Sequence, residues 1–339
     1  MNLSNAARLR LDQHFSDTAK AFGVTPQPPS IGQQFSATPS VAQTIYDKVV
    51  EDGNEFLKLI NMVPVTDLKG EKVGLSLTGR TASRTDTSGS GERTPKDLAG
   101  TDTKGYELFF TEFDVALAYS KIDSWAKFKD FRERYMRLVR QAIGNDMLQT
   151  GWTGLAAAAA SDIVANPLLE DVNKGWLQIM REFNGGSQYL LGNSGSVTLG
   201  AAGFENLDVL AKAAKDMLPV YHRKRTDLVL LMGDNVLSKQ EDTYFETNGN
   251  KPTEKAMLSG RITKAYANMP AITPPFFPDS AIMVTPLENL SIYYQDSSVR
   301  RLQKDKPEKN QVQEFNSANL GYVVEDEEQA AFIEGIEGL

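Results

Sequence analysis

Two histidines are the first residues to consider for catalysis or metal binding in this chain of 339 residues. His14 lies in the N-terminal segment, and His222 lies in the basic run YHRKR. Neither belongs to a metal-binding spacing such as HExxH. We therefore expect both imidazoles to be solvated side chains without a chemical role.

Two glycine-rich stretches imitate known catalytic loops. Residues 89–94 (GSGERT) approach a phosphate-binding loop, which requires Gly-Lys-Ser/Thr between a strand and a helix. Glu92 and Arg93 stand where that motif has Lys and Ser/Thr, and Pro95 follows, so the sequence indicates a flexible loop. Residues 192–196 (GNSGS) lack the G-x-S-x-G spacing of a nucleophile elbow, which indicates a surface turn.

Four consecutive acids, residues 325–328, form the only dense carboxylate run. Adjacent carboxylates could hold a cation or shift one another's proton affinity, as a metal-dependent or acid–base hydrolase requires. A solvated or partner-facing acidic turn is the favoured interpretation. A hydrolase that uses these acids stays open as an alternative.

Composition narrows the class of protein. Apolar residues make up 41% and charged residues 24%, as in folded globular proteins. The absence of cysteine excludes disulfides, thiolate zinc sites and cysteine nucleophiles. A formal net charge of −8 argues against a general nucleic-acid binder. No apolar run has membrane-spanning length, and the N-terminus lacks an apolar signal core, which argues against secretion.

Basic residues form local clusters although the net charge of the chain is negative. A predicted helix over 124–149, N-capped by Ser124, carries several, among them Arg134 and Arg137. They could contact DNA phosphates, pair with acidic neighbours in an assembly, or be solvated. A second run begins at Arg300 and Arg301 and reaches a predicted hairpin tip, where partner contacts are favoured over nucleic acid.

The order of predicted elements indicates an α+β fold. A first helix over 1–22 is joined to the rest by a Pro-rich linker, so we expect it to be loosely attached. A second helical stretch over 41–60 is interrupted at Gly53. The helix over 124–149 has a predicted buried stripe that repeats every three or four residues: Trp125, Phe128, Phe131, Tyr135, Leu138 and Ala142.

Predicted strands flank an almost entirely polar stretch between residues 79 and 104. Such a stretch cannot bury a core of its own, so the simplest interpretation is a long two-stranded ribbon. The ribbon must lie on the rest of this chain or on a neighbouring chain. Extended elements that bury little by themselves favour an oligomer.

Long sequence matches to a known family are more specific than these patterns. The chain resembles the major capsid proteins of the phage P2 family from about residue 35 to residue 336. The matching stretches include PSVAQTI at 39–45, INMVPVTDLKGEKVG at 60–74, TDTSGSGERTPKD at 85–97, DSWAKFKDF at 123–131, NPLLEDVNKGWLQ at 166–178, NMPAITPPFFPDSAIMVTPLENLSIYY at 268–294 and YVVED at 322–326.

The resemblance implies the HK97-like capsid fold, an α+β fold with an N-terminal arm, an extended β-hairpin loop, a peripheral domain with a long spine helix, and an axial domain. The implied segments are a propeptide at 1–35, the N-terminal arm at 36–62 and the extended loop at 63–113. The peripheral domain follows at 114–205, with its spine at 124–149, and returns at 285–326. The axial domain covers 206–284 and 327–339.

The implied function is that of a major capsid protein of a tailed bacteriophage, without enzymatic activity or cofactor. Pentamers and hexamers would build an icosahedral shell around double-stranded DNA, in the host cytoplasm first and then in the virion. Implied partners are an internal scaffolding protein that carries a protease, a portal and a possible decoration protein. A DNA-condensing protein is the alternative, and no membrane partner is expected.

The resemblance also implies sites. Proteolytic processing is expected between Phe35 and Ser36. The residues expected to contact neighbouring subunits are Thr85, Asp86, Ser88, Gly89, Gly91, Glu92, Arg93, Arg134, Arg137, Arg300 and Arg301.

Overall fold

Two large β-sheets, a separate hairpin and several helices make up the chain. The computed structural model describes residues 5–22, 34–77, 82, 84–86, 88, 92–93, 99–125, 128, 130–183, 188–192, 197–200, 203–238 and 265–338. The helices are α1 Asn5–Ala21, α2 Pro39–Asp52, α3 Tyr119–Trp125, α4 Phe131–Thr153, α5 Trp176–Glu182 and α6 Leu207–Met217. The strands are β1 Gln34–Ser36, β2 Asn61–Val65, β3 Lys69–Leu77, β4 Ala99–Glu107, β5 Phe109–Glu112, β6 Val115–Ala118, β7 Tyr189–Leu191, β8 Leu228–Met232, β9 Ala265–Tyr266, β10 Met269–Ile272, β11 Ile282–Pro286, β12 Leu290–Gln295, β13 Arg300–Lys306, β14 Gln311–Val324 and β15 Ala331–Glu334.

The seven-stranded sheet is organised around β14, the longest strand. Its order is β1-β13-β14-β12-β2, and β5 and β6 also pair with β14. The predicted hairpin between β13 and β14 is confirmed, with Pro307 at its tip and Asn310 in the left-handed region (φ 51°). One face of this sheet carries the main core, which includes residues from α2, α4 and α5.

The six-stranded sheet has the order β7-β15-β11-β8-β10-β9. Every residue of β8 and β11 is buried, which explains why both segments read as continuous apolar runs in the sequence. Helix α6 packs on this sheet and begins at Asn206, whose side chain accepts a hydrogen bond from the amide of Val209 at 3.0 Å.

The spine helix differs from its prediction. The continuous helix expected over 124–149 is two helices, α3 and α4, and α4 continues beyond the predicted end to Thr153. Ser124 is not an N-cap, because it lies inside α3 and its hydroxyl donates to the carbonyl of Ser120 at 2.7 Å. A serine hydroxyl inside a helix can donate to the carbonyl one turn earlier, and the sequence alone does not distinguish such a serine from an N-cap.

The predicted apolar stripe is also largely wrong. Leu138 is 65% exposed, Trp125 and Phe128 are exposed as well, and Phe131 is only half-buried. The buried part of α4 lies in its C-terminal half, where Leu148 and Trp152 are fully covered. There α4 packs against α2 and α5, whereas Leu138 in its N-terminal half is exposed.

Close packing fixes the end of α4. The rings of Trp152 and Trp176 are 4.8 Å apart, centroid to centroid. A Cβ built on Gly151 would lie 2.4 Å from the ring of Trp176, so only glycine allows α4 to approach α5 this closely.

Other predictions have mixed outcomes. The break at Gly53 is confirmed, because α2 ends there and a 3₁₀ helix, Glu55–Leu59, follows. Within residues 166–183, α5 covers only the second half. No helix in the described parts of the chain is long and apolar enough to cross a membrane.

Candidate interaction surfaces

Strands β3 and β4 form the predicted two-stranded ribbon. Nine residues pair on each strand, from Lys69 opposite Glu107 to Leu77 opposite Ala99. The ribbon makes its own two-stranded sheet, outside both large sheets. At its base the rings of Tyr106 and Tyr293 are 5.1 Å apart in an edge-to-face contact. The ribbon is therefore anchored at one end, and a two-stranded sheet is barely stable alone in water.

The polar end of the ribbon is open to solvent where the structure describes it. Thr85, Asp86, Ser88, Glu92 and Arg93 are exposed. The amide of Ser88 donates to Oδ1 of Asp86 at 2.9 Å and its hydroxyl donates to the same atom, and these two bonds lower the pKa of Asp86. The predicted contact residues Gly89 and Gly91 lie outside the described part of the chain.

The N-terminal helix packs firmly on the subunit, contrary to the expected loose attachment. Leu11 and Phe15 are buried in a small core with Tyr119, Ile122 and Val312. The predicted helix is confirmed as α1, and its Leu9 is exposed. The surface that covers Leu11 and Phe15 comes from α3 and β14, which lie far away in sequence, so local patterns did not predict this firm attachment.

A buried polar cluster lies beside this apolar contact. Nε2 of His14 is 2.6 Å from Oε1 of Glu314, whose other oxygen accepts from the Nη2 of Arg301 at 2.6 Å. The amide of Gln303 donates to Oε1 of Glu314 at 2.9 Å. All four side chains are buried, so the expectation of a solvated His14 is wrong. The alternation of the two strands places Arg301, Gln303 and Glu314 on the face that α1 covers.

Charge in the cluster controls the ionisation of Glu314. Burial alone would raise the pKa of this carboxyl, but the charges of Arg301 and His14 and their hydrogen bonds outweigh it and lower the pKa to about 2. Glu314 is therefore a buried carboxylate at neutral pH. Its negative charge is compensated within the subunit by residues that are far apart in sequence.

The expected processing position lies in a paired strand. Phe35 is buried and its ring is 6.1 Å from that of Phe22, whereas Ser36 is exposed. Strand β1 pairs antiparallel with β13, and Ser36 lies opposite Arg300. A protease that needs an extended, accessible substrate would require β1 to leave the sheet.

Three of the five arginines expected to contact neighbours line one groove. Its walls are α1, α2, α4 and the strands β13 and β14, and its cavity volume is about 480 Å³. We call it the basic groove; Arg137, Arg300 and Arg301 line it, together with Lys48, Arg132 and Arg140. Arg134 lies outside it and pairs with Asp130 at 2.6 Å.

The acidic run over 325–328 forms a turn and shows no catalytic arrangement. Asp326 caps the 3₁₀ helix Glu327–Gln329 by accepting from the amide of Glu328 at 3.0 Å. Glu325 accepts from the hydroxyl of Tyr293 at 2.9 Å. His222 is half-buried rather than solvated, with Nε2 4.0 Å from Asp326. Among the described residues no group of three His, Asp or Glu is placed to hold a metal ion.

Similar solved structures define the class of protein. A chain of the satellite phage P4 procapsid, in a structure that includes the size determination (Sid) protein, superimposes with a TM-score of 0.75 at 32% identity. That match covers 99% of this chain and 98% of the other. A capsid chain of cyanophage A-1(L) shares the fold alone, with a TM-score of 0.57 at 11% identity over 84% of this chain and 93% of that one. The fold is the HK97-like fold of phage capsid shells.

Sequence comparison gives the family. The family described as "Phage major capsid protein, P2 family" matches residues 10–336, and the chain belongs to it. The capsid protein of Escherichia phage P2 is 33% identical, over 97% of this chain and 94% of that protein. The major capsid protein of Serratia phage KSP20 is 28% identical, over 98% and 97%.

Proposed function

We propose that this chain assembles as pentamers and hexamers into a closed icosahedral shell that encloses double-stranded DNA, and that it catalyses no reaction. The observation that supports this proposal best is the β3–β4 ribbon, which is anchored at its base and exposes polar residues at its other end. Membership of a family of shell subunits supports the same function.

A shell subunit must contact slightly different neighbours at each position. The described polar residues at the end of the ribbon and Leu138 of α4 are exposed and offer surface that a neighbouring subunit could cover. A partner subunit that covers such apolar surface gains roughly 25 cal/mol for each square ångström removed from water. Individually small contacts then add up, because each subunit makes several of them.

The two sheets support a division into two domains. The seven-stranded sheet with α4 corresponds to the proposed peripheral domain, and the six-stranded sheet with α6 corresponds to the proposed axial domain. Strand β7 pairs with β15 in the six-stranded sheet, so the boundary proposed at residue 205 would lie nearer residue 188.

Processing near Phe35 and Ser36 is part of the same proposal. A scaffolding protein that carries a protease would cut the precursor there once β1 is released, and α1 would leave with the propeptide. The mature subunit would then remain in the virion capsid with a portal, and possible decoration proteins would bind outside. Peptide mapping of mature particles should give an N-terminus at Ser36, and intact Met1 in most copies would contradict it.

Electron microscopy of the chain produced with its scaffolding protein tests the assembly. Closed shells with pentameric and hexameric units are expected. A discrete monomer under all conditions, even with the scaffold present, would overturn the proposal. Strongly salt-dependent DNA affinity without shells would instead support a DNA-condensing protein.

A further inference from the structure

The basic groove differs in charge from the chain as a whole. Six basic side chains and two acidic ones, Asp52 and Glu133, line it, whereas the chain carries a formal net charge of −8. Its floor is apolar and includes Val49, Val139 and Ile143. A groove with an apolar floor and a basic rim can bind a ligand that has both apolar and anionic groups.

Partners within the chain only partly neutralise this charge. The carboxylate of Asp52 pairs with two guanidinium groups. Its Oδ2 is 2.5 Å from Nη2 of Arg140, and its Oδ1 is 3.8 Å from Nε of Arg137. Among the residues that the structure describes, Arg300 makes no ion pair within 4.0 Å.

Two residues of the groove each have one buried donor without an acceptor among the described residues. They are Arg301, whose Nη2 binds Glu314, and Arg132, and in both of them it is Nε that is unpaired. Leaving such a donor unpaired is unfavourable, because it has lost its water without a replacement. Both Nε atoms are closed to solvent, so an anionic group in the groove would first meet the exposed guanidinium groups of Arg137 and Arg300.

We propose that the basic groove is a docking site for an acidic, amphipathic segment of another protein chain. Carboxylates would pair with the guanidinium groups of the rim, where charge-assisted bonds are strong. Apolar side chains would cover the floor. Duplex DNA offers phosphates but no apolar side chain for this floor, and the chain's own residues 23–33 contain no charged residue that could neutralise the rim.

Helix α1 forms one wall of the groove through Thr18, Ala21 and Phe22. Removal of the propeptide would therefore take away a wall and lower the affinity for the segment. An assembly partner would bind the unprocessed subunit and be released from the processed one. This consequence rests on the proposed processing, whereas the binding itself does not.

Fluorescence anisotropy with the intact chain tests the binding. The probe is a labelled peptide of repeating Leu-Glu-Glu-Leu, and the matched control peptide carries Gln in place of every Glu. Saturable binding of the acidic peptide is expected, weaker by about tenfold or more for the Gln peptide, because the charge-assisted bonds are lost. No saturable binding of the acidic peptide would overturn the proposal. So would equally tight binding of a short DNA duplex that competes with the peptide.

Matched charge reversals locate the site. Arg137→Glu combined with Arg300→Glu should weaken peptide binding about tenfold or more, whereas Arg134→Glu, on the same helix but outside the groove, should change it less than twofold. All three side chains are exposed, so the fold should persist, and thermal melting verifies it. If the double variant does not fold, Lys48→Glu on α2 replaces it. Equal losses for Arg134→Glu would show non-specific attraction and contradict the assignment.

A second matched pair tests the wall that α1 provides. Ala21 lines the groove and Lys20 does not, although both are exposed on the last turn of α1. Ala21→Glu should weaken peptide binding severalfold, whereas Lys20→Glu, a larger change in charge, should leave it unaltered. If Lys20→Glu has the greater effect, α1 acts only through its overall charge and is not part of the site.

Discussion

Nε2 of His14 lies 2.6 Å from Oε1 of Glu314, a contact that joins the N-terminal helix to the central strand of the seven-stranded sheet across 300 positions of sequence. Both side chains are buried. This contact, the apolar one beside it and the ion pair between Asp17 and Arg132 hold α1 on the subunit. The proposed propeptide is therefore an integral part of the unprocessed subunit.

The stability of the subunit should depend on Glu314 in a pH-dependent way. The pKa of this carboxyl is lowered from 4.5 to about 2 in the folded chain. Its contribution to folding is therefore fully present above pH 4.5 and is lost as the pH falls towards 2. Glu314→Gln leaves the buried Arg301 without its charge partner, which typically costs about 3–5 kcal/mol at pH 7.

Urea unfolding at several pH values measures this dependence. The difference between the natural chain and Glu314→Gln should be large at pH 7 and shrink between pH 4.5 and 2. Glu112→Gln, which alters an exposed carboxylate on the adjacent β5, should change stability by no more than about 0.5 kcal/mol. A penalty for Glu314→Gln that stays constant over this range would contradict the proposed ion pair.

Loss of the His14 side chain should loosen α1 without unfolding the sheet. His14→Ala removes a hydrogen-bond partner of Glu314 and leaves a cavity beside Phe15. Hydrogen exchange should become faster by about tenfold in α1 and stay unchanged in β14, because local opening requires less free energy than global unfolding. Gln13→Ala, at an exposed position of the same helix, should leave exchange unaltered. Equal acceleration throughout the chain would mean that α1 and the sheet unfold as one unit.

Two leucines of α4 should have opposite roles. Leu148 is fully buried, so Leu148→Ala should lower the free energy of unfolding by about 2–5 kcal/mol. Leu138 is 65% exposed, so Leu138→Ala should alter it by only about 0.5 kcal/mol. If its face is covered by a neighbour in the shell, Leu138→Ala should nevertheless reduce particle yield. Thermal melting of the isolated subunit and counts of assembled particles distinguish the two effects. Normal yield for Leu138→Ala would show that this face stays solvated.

Deletion of residues 85–95 should leave the subunit folded and impair its assembly. The described residues of this stretch are exposed, and the ribbon is anchored at the opposite end by Tyr106 and Tyr293. Circular dichroism and melting should match the full chain, while shells become rare or misshapen. A melting temperature lowered as strongly as by Leu148→Ala would place this stretch in the subunit's own core.

Local patterns of the sequence were sufficient to predict several elements. The two-stranded ribbon, the break at Gly53 and the hairpin tip at Pro307 depend on neighbouring residues alone, and the structure confirms each of them. The long matches to the P2 family also identified the fold, which no periodicity in the chain specifies.

Only the tertiary structure decided which surface covers the apolar face of each helix. Periodicity shows that a helix has an apolar face, but burial depends on segments far away in sequence. For this reason Leu138 is exposed although it fits the apolar repeat of α4, and His14 is buried although its neighbours are polar. The basic groove has the same origin: its side chains come from α1, α2, α4, β13 and β14, and only the packing of these helices on the sheet brings them together.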